Sequence, residues 1–308
     1  MIIDMHGHLG DILYPGGGEL INKTGVPFPK SNALQRKYDR LLNGDSPATI
    51  AVNGLFPYIM VKSERERNFA ATLENLRKSL DGTGISECVC APIAPNCTFA
   101  NMQAAEEAEP RIIAFTSPDF TLTEINETVS QIKNDLAFAA GIKIHPIIQQ
   151  TEADSAHVSA VLEAVSKCPR PVLIHAGSSK YYMPREKRKK YFDCANVLKI
   201  EKQIAKFGNV PFVIGHAGLR EIRTVIERLS KYKNAYVDTS FQPPSAIRAL
   251  IEAFGAGRVL FASDWPYGLR PPAIAAVREA CAGDELLERA VLYENAKNLL
   301  NQTAPRAF

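Results

Sequence analysis

Along the chain, short runs of apolar and β-branched residues alternate with longer stretches whose apolar positions recur every three to four residues. The short runs predict strands at 1–4, 85–93, 111–116, 141–145, 171–175, 210–216, 235–239 and 258–262. The longer stretches predict helices near 63–81, 98–108, 121–139, 154–167, 194–207, 219–231, 244–254 and 271–281. Strand followed by helix, repeated throughout, implies right-handed crossovers and a parallel sheet covered on both faces. Eight strands and eight helices are the numbers that close a (β/α)8 barrel. A doubly wound open sheet is the alternative, because counting strands does not show closure.

Two connections break this rhythm. Residues 9–61 form a first βα connection far longer than usual, holding Gly16, Gly17, Gly18 and five prolines. It is expected to be an insertion that caps the barrel mouth within a single domain spanning 1–308. The three glycines are not a phosphate loop, since no Gly-Lys-Ser/Thr or helix start follows them. The second irregular connection, 178–193, reads SSKYYMPREKRKKYFD. A last helical pattern at 285–300 is expected to pack outside the eight-fold core. No internal repeat or low-complexity tract is present.

Composition narrows the class without changing the fold. Of 308 residues, 46% are hydrophobic and 22% charged, the profile of a soluble protein with a sizeable core. A net charge of +3 gives no reason to expect a nucleic acid or membrane partner. The N-terminus shows no signal-peptide pattern, and no apolar run reaches the ~18 residues that span a bilayer, so a cytoplasmic location is expected. The six cysteines form no C-x-x-C pair and read as reduced thiols. Cys88 and Cys90 alternate within a strand and share one face.

The chemistry lies in the histidines. His6 and His8 follow the first strand, His145 ends the fourth, His175 the fifth and His216 the sixth. Only His157, inside a predicted helix, falls elsewhere, and it reads as a surface residue. In a parallel barrel all strand C-termini open on one face, so these side chains converge there. The period of two turns His6 and His8 to the same side, where both could hold one ion. Asp264, directly after the apolar run of the last strand, is a carboxylate that burial would penalise without a partner. Metal binding or proton transfer opposite the histidines is the reading that joins them.

These motifs carry a resemblance. Asp4-x-His6-x-His8, the His-Ala-Gly at His175, the Gly-His-Ala-Gly at His216, Ser-Asp-Trp-Pro at Asp264, and more weakly the segment 294–300, together resemble the metal-dependent amidohydrolase superfamily. The nearest branch is the amidohydrolase-related group that includes aminocarboxymuconate-semialdehyde decarboxylase and several lactone and carboxylate hydrolases. The resemblance implies a distorted (β/α)8 TIM barrel with one divalent metal, zinc first and manganese next. His6, His8, His175 and Asp264 would be its ligands. Asp264 would also exchange a proton with a metal-activated water, and His216 would stand beside the metal as acid/base or electrophile. Such proteins often form homodimers.

Lys143, in Gly-Ile-Lys-Ile-His, has three readings: the carboxylated lysine of a two-metal site shared with His216, a contact to a substrate carboxylate, or a structural ion pair. His145 shares the face of Lys143 and is expected to line the pocket without being a ligand. Arg220, Trp265 and Arg270 are further candidates for substrate contact. Lys180, Arg185, Lys187, Arg188, Lys189 and Lys190, interleaved with Tyr181, Tyr182 and Tyr191, form either a solvated basic face or a rim attracting a small anionic substrate. Hydrolysis of a lactone, ester or amide is the expected reaction, because the stretch 263–267 looks lactonase-like. The alternatives are non-oxidative decarboxylation of an unsaturated or aromatic acid, which the extended first loop favours, and a barrel that binds without catalysing.

Overall fold

A computed structural model describes residues 1–29, 57–182 and 193–302, with the side chains of 57–60 excepted. The strands are β1 (Ile2–Asp4), β2 (Ile85–Cys90), β3 (Ile112–Ala114), β4 (Ile142–Ile144), β5 (Val172–His175), β6 (Phe212–Gly215), β7 (Ala235–Asp238) and β8 (Val259–Leu260). All eight fall inside the predicted runs, but each is shorter. They pair in parallel as two ladders, β1-β2-β3 and β4 through β8. Both seams between the ladders are stitched. Thr116 bridges Ile142, with Lys143 N donating to Thr116 O at 2.7 Å. Gly7 bridges Trp265, with Met5 N donating to Phe261 O at 3.0 Å and Asp264 N to His6 O at 2.8 Å. The ring of eight is a barrel.

The helices are α1 (Pro57–Asn68), α2 (Leu73–Asp81), α3 (Phe99–Ala108), α4 (Ile125–Asp135), α5 (Ala156–Lys167), α6 (Val197–Lys206), α7 (Ile222–Leu229), α8 (Pro244–Phe254), α9 (Arg270–Cys281), α10 (Glu285–Arg289) and α11 (Asn295–Asn301). The single helix expected over 63–81 is two, because Thr72 leaves the helical conformation and its hydroxyl caps α2 by accepting from Asn75 N. His157 is not a free surface residue. It is half-buried between α4 and α5, bonded to Thr128 Oγ1 at 2.9 Å and edge-on to Phe120.

Two apolar layers hold the barrel. The outer one packs the helices on the outward faces of the strands and contains Ile2, Cys88, Cys90, Ile142, Ile174 and Ile214. The inner one gathers Ile3, Val89, Ile113, Leu173, Val213 and Leu260 inside the ring, together with Ala296 and Leu299 of α11. The last helix lies outside the eight-fold core, as expected, and at one end of the ring. It plugs the N-terminal opening, where those inward side chains would otherwise meet water. At the opposite end the described start of the 9–61 connection lies over the mouth: Ile12 and Leu13 pack with Ile93, Cys97, Ile148 and Tyr267. Asn68 on α1 ties this lid, accepting from Ile12 N and from Tyr267 OH and donating to Asp11 Oδ1. No described helix is long and apolar enough to cross a membrane.

Candidate metal centre and active site

Beyond β1 the strict alternation lapses. Ile3 and Met5 share the interior cluster, yet His6 and His8 both turn onto the Asp264 carboxylate. Asp4 stays behind as a clamp, accepting from Ser263 N and Oγ at 2.9 and 2.6 Å and pairing with Arg270 Nε at 3.0 Å. This clamp fixes the strand-one and strand-eight motifs against each other. Gly177 and Gly218 do the same for the two His-Ala-Gly turns. Both have positive φ (88° and 79°), and a Cβ on Gly177 would lie 2.2 Å from Gly218 O. Only glycine allows the two turns to approach so closely.

The five expected histidines, Lys143 and Asp264 all converge and are all buried. His6 Nε2 and His8 Nε2 lie 3.4 and 3.3 Å from Asp264 Oδ1. Lys143 Nζ lies 2.6 Å from His6 Nε2. His216 stacks on His6 with ring centres 4.8 Å apart, and its Nε2 meets His175 Nδ1 at 3.1 Å. His145 stacks flat on His175 at 4.0 Å and bonds Tyr181 OH at 3.1 Å. Several of these positions are strained: His216, Ala217, Leu219, Phe241 and Asp264 all have positive φ without being glycine. Such conformations persist only where surrounding contacts enforce them, and they cluster at working sites.

Burial dominates the electrostatics. It holds His6, His145, His175 and His216 well below the ordinary imidazole value, helped by Lys143 and by neighbouring rings. Burial and Lys143 bring His8 down to about 3. The rings are therefore neutral, the form that ligates metal. Burial lowers Lys143 to about 8 against the opposing pull of Asp264 and Asp238, and pushes Asp264 well above the carboxylate range against the pull of Lys143.

The residues fit a divalent ion. Asp264 Oδ1 is buried with no hydrogen-bond partner, between the Nε2 atoms of His6 and His8. One donor atom each from His6, His216 and Asp264 lie within 4.8 Å of one another. Imidazole and carboxylate donors suit zinc or manganese. His8 reaches the same carboxylate oxygen, whereas His175 connects through His216, so the tightest cluster includes His216 where His175 was expected.

Other candidates are placed differently. Arg270 is buried and committed to Asp4 and to Ser79 Oγ, and it lies over the Trp265 ring. It holds the β1–β8 seam, with its Nη2 buried and without a hydrogen-bond partner among the described residues. Trp265 is itself buried, against Phe28 and Arg270. Arg220 stays exposed. Lys180 is exposed, and Arg185, Lys187, Arg188, Lys189, Lys190 and Tyr191 lie outside the described residues.

Sequence reasoning missed two residues. Asp238, the last residue of β7, bonds His6 Nδ1 through Oδ2 at 2.8 Å and His216 N through Oδ1 at 2.9 Å. Glu64 on α1 is part-buried, and its carboxyl is pushed up to about 8 by enclosure and by the Asp264 carboxylate. Above the cluster the walls are aromatic. The Tyr181 hydroxyl lies 3.5 Å from His175 Nε2, and the Tyr267 ring is edge-on to His8 at 6.1 Å. Tyr14 and Tyr182 meet edge-to-face beside them.

Comparison with known proteins agrees with this geometry. The amidohydrolase family profile matches residues 3–302. No curated protein sequence matches the chain. An uncharacterised TIM-barrel protein of Bordetella bronchiseptica superposes with a TM-score of 0.65 at 16% identity, covering 98% of each chain. The 5-carboxyvanillate decarboxylase of Sphingomonas paucimobilis gives 0.64 at 17% identity, covering 97% of this chain and 98% of that one. The 5-carboxyvanillate decarboxylase of Novosphingobium aromaticivorans, solved with manganese and 4-hydroxy-3-methoxy-5-nitrobenzoic acid, gives 0.60 at 15% identity, covering 98% and 97%.

Proposed function

Since the chain belongs to the amidohydrolase family, we propose that it is a metal-dependent decarboxylase of a small planar acid, aromatic or unsaturated. The observation that carries this reading is the phenolic wall around the imidazole–carboxylate cluster, with Tyr181 and Tyr267 against His145 and His8. A flat acid fits between such rings, and Tyr181 OH offers a hydrogen bond beside the reacting group. Full-length superposition on decarboxylases of an aromatic acid supports the same reading, against the hydrolysis expected from the 263–267 stretch.

His6, His8 and Asp264, with His175 or His216, would hold a divalent ion. That ion would supply positive charge to fix the oxygens of an anionic substrate. Lys143 adds a second cationic group at the floor. Loss of carbon dioxide leaves an electron pair on the substrate carbon, and a proton must reach it; Asp264 and His216 would move that proton. The lid formed by α1 and residues 9–14 excludes bulk water from the step. The protein purified with its native metal should release carbon dioxide from 5-carboxyvanillate or related hydroxybenzoates, and a chelator should abolish the release. Acid release from lactones or esters, without carbon dioxide, would establish hydrolysis instead. Metal analysis of the same preparation separates zinc from manganese.

A further inference from the structure

We propose that Asp238 is a positioning residue that fixes the tautomers of both His6 and His216, so that one carboxylate presents two imidazole lone pairs to the site. The inference rests on the metal-site reading above, but its evidence is the hydrogen-bond geometry alone. Asp238 Oδ2 lies 2.8 Å from His6 Nδ1. A carboxylate only accepts there, so Nδ1 carries the proton and Nε2 keeps its lone pair. The opposite edge of the ring agrees, since Lys143 Nζ approaches that same Nε2 at 2.6 Å as a donor.

The second imidazole is set through one hydroxyl. Ser240 Oγ donates to Asp238 Oδ1 at 2.5 Å, which uses its only proton. Its 2.7 Å contact with His216 Nδ1 must then be a bond that Oγ accepts. His216 therefore carries its proton on Nδ1 and turns the lone pair of Nε2 inward, where His175 Nδ1 lies 3.1 Å away. His8 reaches the same tautomer by another route, because its Nδ1 faces the Ala91 carbonyl at 2.7 Å. His145 is the contrast. Ile148 N donates to its Nδ1, so its Nε2–H points to Tyr181 OH and offers no lone pair. The proton pattern thus separates three imidazoles able to ligate or accept from one that is not.

The substitution Asp238→Asn tests this. The amide oxygen would keep the Oδ1 place, which takes donors from His216 N, Ser240 N and Ser240 Oγ. The amide NH2 would then face His6 Nδ1 and force the proton onto Nε2, the wrong tautomer for binding. Nitrogen-15 NMR of the metal-free protein should show His6 protonated on Nδ1 in the wild type and on Nε2 in Asp238→Asn. Zinc or manganese affinity should fall roughly 10- to 100-fold. Ser240→Ala should leave the His6 signal unchanged and let His216 average between tautomers. The wild-type spectrum decides even if Asp238→Asn does not fold: His6 protonated on Nε2 there would overturn the proposal. So would an Asp238→Asn protein with unaltered tautomer and unaltered metal affinity. None of these readouts uses a substrate, so failure of the decarboxylase reading would leave them untouched.

Discussion

At the N-terminal end of the barrel, Ala296 and Leu299 of α11 seal against Ile3, Val89, Leu173, Val213 and Leu260. At the C-terminal end the same ring carries Lys143, His145, His175, His216, Asp238 and Asp264, all buried, with His216 and Asp264 on strained backbone. The first end gains free energy from apolar burial and close packing. The second spends it on desolvated ionisable groups and left-handed conformations. Stability and chemistry are therefore assigned to opposite mouths of one barrel, and each end should answer differently to substitution.

The largest expected separation is at Asp264. Its Oδ1 is buried without a hydrogen-bond partner, and burial opposes its charge. Asp264→Asn keeps the shape and tolerates the φ of 56°. Turnover should fall by about 10³ or more, equivalent to about 4 kcal/mol of barrel-mouth chemistry lost. Thermal unfolding of the metal-free variant should occur at an unchanged or higher temperature, because a costly carboxylate has been removed. A drop of many degrees would show that this mouth stabilises the fold after all. The next largest effect lies at the other end. Leu299→Ala should cost about 3 kcal/mol in urea unfolding through the transfer loss and the cavity left behind. Metal affinity should be unaltered, and a large change there would couple the two ends.

The same contrast explains what could be read from the sequence. The eight strands were legible because each is an apolar run whose composition does not depend on its neighbours. His6, His8, His175, His216 and Asp264 were legible because each sits at the end of such a run. Asp238 sits at the end of one too, but Asp-Thr-Ser there reads as an ordinary turn. Its meaning comes from His6, 232 positions away, and from His216, 22 away. Glu64 was hidden within Ser-Glu-Arg-Glu-Arg, which looks like a solvated helix face. Arg270 has a partner that sequence spacing did not show. Its closeness in sequence to Asp264 suggested the pocket, while the fold points it to Asp4 on the seam. The last helix carried the right periodicity, but periodicity does not say which opening a helix covers.

Acid sharpens the contrast further, because the buried imidazoles gather at one end of the barrel. The His8 imidazole is held down to about 3 by burial and by Lys143, against about 6.5 in an unfolded chain. Between those values the unfolded chain binds a proton that the native protein refuses. The stability linked to His8 is thus fully present above about pH 6.5 and is lost as pH falls toward about 3. At pH 5 the loss from this one residue is about 2 kcal/mol. His6, His145, His175 and His216 are displaced in the same direction, so the wild-type slope should be steeper than one proton. Urea unfolding with a chelator present, at pH 7.5 and pH 5, measures it. Leu299→Ala should lower both values by the same amount, since nothing around that side chain in the inner apolar layer takes up a proton. His8→Asn should narrow the gap between them. An equal gap in His8→Asn and wild type would mean that acid stability is set away from the imidazole cluster, and the division between a stabilising end and a costly end would fail.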